Sequence, residues 1–294
     1  MATMQYTTLG TTALKISRVG LGAMPLSTIG RPDKREDAIK VIHRTLDLGI
    51  NLIDTSDAYC LDENEKHHNE KLIYEALQSY NGDTSNVVVA TKGGMVRPNG
   101  EWHTDCNPNR LRKTIRESYE ALGGKESIKL WQLHDFDDKY PLDQIFQPIR
   151  EAVDQGLIKY VGVSNFKVDQ IIEARKYVDI YSVQNQYSIV HRKPEQDGVL
   201  KYCDENKITL LAYRPVGGAP GHKNIVKQKL LVELGAKYNC SPYCIALAWL
   251  MSKSKWVVPI PGASHIQSIE DSSNVINIRL DQNDIQQIDL QNFK

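Results

Sequence analysis

The chain has 294 residues, 41% hydrophobic and 24% charged, with 36 Lys+Arg against 36 Asp+Glu. That is ordinary globular composition, and the length suits one large α/β unit. A net charge of zero, with no like-charge block and no Lys/Arg-rich stripe, argues against a nucleic-acid partner held by bulk electrostatics.

The N-terminus, Met1-Ala2-Thr3-Met4-Gln5-Tyr6, lacks a basic start and an apolar run, so no signal peptide is expected. The apolar run 245–251 is far too short to span a bilayer. The five cysteines (Cys60, Cys106, Cys203, Cys240 and Cys244) are odd in number and unpaired in spacing, which fits a reducing, cytoplasmic setting. Cys240 and Cys244 are spaced to share a helix face, but nothing nearby completes a zinc set. The pair His67-His68 follows a charged run and reads as a solvated loop.

Residues 6–18 turn at Gly10 and read as a hairpin. Strand 19–24 follows, ending in glycine. Strands and helices then alternate: helix 35–48, strand 50–54, helix 69–79, strand 86–91, helix 108–122, strand 128–133, helix 143–155, strand 160–163, helix 167–177, strand 180–184, helix 195–206 and strand 208–213. Helices 225–238 and 242–252 lead to strand 256–260, and helical segments 265–275 and 281–291 close the chain. Eight buried-type strands with intervening helices predict a single α/β domain, a (β/α)8 TIM barrel with an N-terminal β-hairpin and a C-terminal extra helix. No Gly-x-Gly-x-x-Gly follows the first strand, which argues against an open dinucleotide-binding sheet. The longest expected loops are 93–106 and 214–224.

In such a barrel the chemistry sits on the rim formed by the loops after the strands. Asp54 and Tyr59 follow the second strand, Lys92 the third and His134 the fourth. A phenol is a weak acid, with an ordinary pKa of about 10. An ammonium beside it is expected to lower that value. Taken singly, Tyr59 reads as a pocket-filling aromatic, Asp54 with Lys92 as a structural ion pair, and His134 as a satisfied buried histidine. Together at one rim they read as a catalytic set.

The contexts Leu-Ile-Asp-Thr-Ser-Asp-Ala-Tyr (52–59), Ala-Thr-Lys-Gly-Gly (90–94) and Leu-Trp-Gln-Leu-His (130–134) resemble the tetrad motifs of the aldo-keto reductase superfamily. Gly162-Val163-Ser164-Asn165-Phe166 and Val183-Gln184-Asn185-Gln186-Tyr187 resemble its nicotinamide-contact segments. The likeness runs from about residue 6 to the C-terminus, with the motifs in the expected order. It implies a metal-free, flavin-free oxidoreductase that interconverts a carbonyl and an alcohol by direct hydride transfer. Asp54, Tyr59, Lys92 and His134 would be catalytic, with Tyr59 the general acid. Tyr59, His134, Trp102 and Phe136 would contact substrate, and Met24 and 185–193 would complete its walls.

The resemblance also assigns a cofactor set. Ser164, Asn165 and Gln184 would bind the carboxamide, and Tyr213 would stack on the nicotinamide, with Gly22, Met24 and Asp54 nearby. Arg214, Pro215, Val216 and Gly217 would cover the pyrophosphate; Arg214 stands where the family usually has Ser. Gly262, Ala263, Ser264, Ser268, Asp271 and Ser272 match the adenosine end, without the family's usual cations. NADP(H) is favoured, with NAD(H) the alternative. The Gly-Ala-Ser form (262–264) resembles the branch that includes potassium-channel β subunits, so a cofactor-holding regulatory subunit is the rival reading. The partner is expected to be a small carbonyl or alcohol, not nucleic acid or membrane. Residues 191–193 (His191, Arg192, Lys193) either meet an anionic substrate or face solvent.

Overall fold

The computed structural model describes residues 3–293. A short antiparallel hairpin of β1 (Tyr6–Thr8) and β2 (Lys15–Ser17) opens the chain. The remaining strands are β3 (Leu21–Gly22), β4 (Leu52–Asp54), β5 (Val88–Gly93), β6 (Met95–Val96), β7 (His103–Thr104), β8 (Ile128–Leu133), β9 (Ile158–Ser164), β10 (Ile180–Gln186), β11 (Thr209–Tyr213) and β12 (Val257–Pro259). The α-helices are α1 (Arg35–Asp47), α2 (His68–Ser79), α3 (Pro108–Ala121), α4 (Leu142–Asp154), α5 (Val168–Ala174), α6 (Lys193–Gln196), α7 (Val199–Glu205), α8 (Gly218–Ile225), α9 (Lys229–Tyr238), α10 (Pro242–Lys253), α11 (Ile266–Ser273) and α12 (Gln282–Leu290).

Eight strands pair in parallel in the order β3-β4-β5-β8-β9-β10-β11-β12. A parallel bridge between Gly22 and Gly262 brings the two ends together, with Gly22 N–H donating to the Pro261 carbonyl at 2.9 Å. The result is the (β/α)8 barrel. The closure needs a residue without a side chain: a Cβ on Gly22 would stand 2.8 Å from the Ile260 carbonyl oxygen.

Alternation along each strand divides the core. Outward residues such as Ile53, Trp131, Val163 and Val183 meet the helices. Inward residues Leu52, Val88, Ala90, Leu130, Leu211 and Val258 fill the lower barrel, and Leu9 and Ile16 of the β1–β2 hairpin pack into the same cluster and close that end. One step up each strand the inward positions turn polar: Asp54, Lys92, Gln132, Ser164 and Gln184 are all buried. Several helices start where the sequence places a cap. Asn107 accepts from Asn109 N–H and Arg110 N–H ahead of Pro108, and Ser241 accepts from Cys244 N–H ahead of Pro242.

The structure departs from the sequence reading in several places. Pairing of β5 with β8 continues through Lys92↔Gln132, so Lys92 lies within its strand rather than beyond it. Gly198, at φ 83°, divides the expected helix 195–206 into α6 and α7. The expected loop 93–106 holds the β6–β7 hairpin, and 214–224 runs into α8 from Gly218 on. His67 is buried rather than solvated: its Nδ1 meets Glu70, itself fully buried, and its Nε2 faces Glu117 at 3.4 Å. Cys240 precedes the Ser241 cap and so is not on the face of α10. Among the described residues no group of three or more His, Cys, Asp or Glu is placed to hold a metal, and no helix is long and apolar enough to cross a membrane.

Candidate active site

Strands β4, β5 and β8 are consecutive neighbours, and their upper ends bring Asp54, Lys92 and His134 to one rim. The Lys92 ammonium is fully buried and spends its three N–H groups on the Asp54 carboxylate (2.8 Å), the Thr55 carbonyl (2.8 Å) and the Tyr59 hydroxyl (3.0 Å). Its Nζ also lies 4.7 Å from the centre of the Tyr59 ring. The other Asp54 oxygen accepts from the Gln184 amide at 2.7 Å. Because the phenol oxygen accepts from Lys92, its own O–H remains for the nearby Asp54 or for a ligand oxygen.

Burial opposes charge throughout this cluster. It raises the Asp54 carboxyl, against the pull of Lys92 and Gln184, and lowers the Lys92 ammonium, against Asp54. Two charges so close, with all three Lys92 N–H groups and both Asp54 oxygens bonded, form a buried pair that is costly to break. Burial and then the Asp54 charge hold the Tyr59 phenol well above its ordinary value. The expected acidification by Lys92 is therefore outweighed in the resting protein, and the phenol keeps its proton. Burial, then the Lys92 ammonium, holds the His134 imidazole well below its ordinary range, so it is neutral. The neighbouring Cys60 thiol is pushed up to about 12 by burial and is no nucleophile.

Over these groups the β6–β7 hairpin presents Trp102, 41% exposed, whose ring meets those of Tyr59 and His134, each at 6.2 Å and edge-on. Buried Arg97 stacks on Trp102 at 4.0 Å and is anchored on the carbonyls of Cys60, Leu61 and Gly100. Phe136 packs edge-on against Phe166 (6.0 Å). Arg192, expected to face substrate or solvent, pairs instead with Glu195 and Asp289 and lies over Trp249, tying the head of α6 to α12.

The residues expected to hold a cofactor are placed less uniformly. Ser164 and Gln184 are buried partners across β9–β10. Asn165, left-handed at φ 62°, already uses both ends of its amide: Nδ2 donates to the His134 carbonyl at 3.2 Å, and Oδ1 accepts from the Tyr213 hydroxyl at 2.8 Å. Tyr213 ends β11 beside it. Arg214 is exposed at φ 48°; its carbonyl accepts from Gly217 N–H at 2.9 Å, and its guanidinium makes no hydrogen bond or ion pair among the described residues. Its chain folds over Gly218, where a Cβ would stand 2.7 Å from Arg214 Cδ. Pro215, Val216 and Gly217 continue into α8; Gly22 lies on the barrel seam, and Met24 opens a short helical turn just after it. Gly262, Ala263 and Ser264 precede the His265 cap of α11, with Ser268 exposed. Asp271 accepts from Ser241 at 2.6 Å, and Ser272 is buried.

Residues 18–292 match the model of the aldo/keto reductase family. The chain belongs to the aldo-keto reductase family. As such it is an oxidoreductase, and the family as a whole works with NAD(P)H. It is 36% identical over 271 residues to an uncharacterised oxidoreductase of Schizosaccharomyces pombe, covering 90% of this chain and 83% of the relative. It is 30% identical to a pyridoxine 4-dehydrogenase of Escherichia coli, covering 96% of each. A crystal structure of a thermostable aldo-keto reductase bound to the inhibitor epalrestat superposes with a TM-score of 0.82 at 27% identity, covering 97% of this chain and 99% of that one.

This aldo-keto reductase also carries polar residues at the site that motif reading passes over. Ser56 and Asp57 lie inside the 52–59 motif and are fully buried, and the Ser56 hydroxyl touches both Asp57 Oδ1 and His134 Nδ1 at 3.1 Å. The available signal was the run Asp-Thr-Ser-Asp: four polar residues directly after a buried strand must find buried partners.

Proposed function

We propose that the protein is an NAD(P)H-dependent carbonyl reductase in which Tyr59 is the general acid. The observation that carries this reading is the Lys92 ammonium held within hydrogen-bond distance of both the Asp54 carboxylate and the Tyr59 phenol. A nicotinamide, when bound, supplies hydride to the carbonyl carbon. The phenol delivers its proton to the carbonyl oxygen, and Lys92 stabilises the phenolate as it forms. Neutral His134 donates a hydrogen bond to the same oxygen and orients it, while Trp102 walls the site against water. Phe136 and Met24 extend the substrate pocket, and the reverse oxidation uses the same groups.

The residues present fit the cofactor. The Gly218 N–H and the Arg214 guanidinium offer donors for a pyrophosphate. Gln184, tied to Asp54 by its N–H, keeps its carbonyl for a carboxamide N–H, with Ser164 beside it. Asn165 joins them by exchanging its Tyr213 bond, which leaves the Tyr213 ring to stack on the nicotinamide. Gly22, Pro215, Val216, Ala263 and Gly262 shape the channel, and Ser264, Ser268, Asp271 and Ser272 take the adenosine end. NADP(H) is our preferred nucleotide on family grounds. The absence of Lys and Arg from 262–272 is the observation that favours NAD(H). The unit works as one barrel on a small carbonyl or alcohol, and its five free thiols suit a reducing cytoplasm.

The test is fluorescence titration with NADPH and NADH, followed by an aldehyde and ketone panel that includes pyridoxal. Turnover with the preferred nucleotide is expected. Tight binding without turnover would favour the rival regulatory role, and no binding of either nucleotide would end the proposal.

A further inference from the structure

A carbonyl-facing histidine helps only if its outward nitrogen carries the proton. His134 is neutral, so one ring nitrogen has the hydrogen and the other does not. Which one is set by the partner of Nδ1, and that partner is the Ser56 hydroxyl at 3.1 Å.

Ser56 has one proton and four polar neighbours. Its oxygen accepts from Ala58 N–H (3.1 Å) and stands 3.1 Å from Asp57 Oδ1, 3.1 Å from His134 Nδ1 and 3.4 Å from the Lys92 carbonyl. Asp57 is fully buried. Its side chain meets two hydroxyls, Ser56 and Thr114 (2.8 Å), and no cation touches it among the described residues. Oδ2 accepts from the Thr114 hydroxyl, which leaves the Oδ1 side to face Ser56, and two arrangements of hydrogens then match every proton to a lone pair along this chain. If Asp57 is a carboxylate, it takes the Ser56 proton, Ser56 must accept from Nδ1–H, and Nε2 is bare. If Asp57 is a carboxylic acid, its O–H donates to Ser56, Ser56 donates to Nδ1, and Nε2 carries the proton. Mixed arrangements set two lone pairs, or two hydrogens, against each other in a dry site.

We propose that Asp57 is a buried carboxylic acid which, through Ser56, holds His134 in the tautomer with its proton on Nε2, making Ser56 and Asp57 positioning residues for carbonyl reduction. The proposal rests on the role given to His134 above. Burial, and then the Glu70 charge on α2, raise the Asp57 carboxyl. Lys66 and His67 ahead of α2, and Arg110 on α3, pull the other way without contact. Lys92 on β5 acts on His134 by lowering it further. The acid form has a neutral environment of hydroxyls, while the ionised form has no charge partner at hydrogen-bond distance.

The experiment is long-range ¹H–¹⁵N correlation on histidine-labelled protein without substrate, with His134 assigned through its loss in His134→Gln. At neutral pH the protein should show the Nε2–H form. As pH rises and Asp57 ionises, the signal should move to Nδ1–H. Asp57→Asn, whose amide N–H donates to Ser56 at every pH, should keep Nε2–H at pH values where the parent has switched. Ser56→Ala should give a mixed tautomer and lower kcat about 10-fold, on the scale of losing one positioned donor, with nucleotide Kd unchanged. An Nδ1–H form in the parent at neutral pH overturns the proposal. So does a Ser56→Ala spectrum identical to the parent, or an Asp57→Asn protein that switches alongside it. The tautomer is read without turnover, so a relay that behaves as described in a protein that reduces nothing would overturn the enzymatic reading alone.

Discussion

The two halves of the rim are built on different principles. The β4–β5–β8 half is a closed network: Asp54, Lys92, Gln184, Ser56 and Asp57 are buried and mutually bonded. The half at β11–α8 and the head of α11 offers glycines, exposed serines and Arg214, with few internal partners. A buried charge network tolerates almost no substitution, because removing one member strands the others in a low dielectric. A surface that grips phosphates and ribose with backbone donors and small side chains can vary freely. The contrast predicts that substitutions are felt far more strongly in the first half than at Arg214 or 262–272.

Substitutions can break or sharpen the contrast. The largest effect is expected from Tyr59→Phe, which should lower the rate of reduction by about 100-fold or more while nucleotide Kd, measured by titration, stays near the parent's. Equal loss of both would mean that Tyr59 only supports the fold. Lys92→Met leaves Asp54 buried without its cation, and chemical denaturation should record a loss of about 3–5 kcal/mol. A loss below 1 kcal/mol would refute the closed network. On the open half, Arg214→Ala should weaken nucleotide binding only about 5-fold, as expected for an exposed charge-assisted bond, with stability unchanged. A change confined to substrate KM would move Arg214 to the substrate side.

The smallest expected effect concerns His67. Burial lowers its pKa, but the bond and charge of Glu70 more than compensate, leaving it raised. A raised histidine adds stability that is fully present below its unfolded value, near 6.5, and is lost as pH rises through the folded value. Melting curves between pH 5.5 and 8.5 should show a shallow decline as pH rises, and His67→Gln should remove that dependence. A profile unchanged by the substitution would remove His67 from the account.

Much of this was legible in the chain. Short apolar runs between helical patterns place the eight barrel strands, because a parallel strand with helices on one face and the barrel core on the other is buried on both sides. Residues 54, 59, 92 and 134 could be gathered at one rim because parallel neighbours end on the same side. The acidity of Tyr59 was misjudged: proximity to Lys92 was readable, but the burial that outweighs it is not a local property. His67 was misread for a similar reason, since a charged run looks solvated until Glu70 and Glu117 fold beneath it.

By itself, the sequence determined the alternation of strand and helix, the hairpin that plugs the barrel, and which chemical groups stand after each strand, since these depend on near neighbours along the chain. Only the tertiary structure decided how deeply each group is buried and which partner it meets across the barrel. Desolvation and hydrogen bonding, which set the protonation of Tyr59, His134 and Asp57, depend on atoms tens of residues apart.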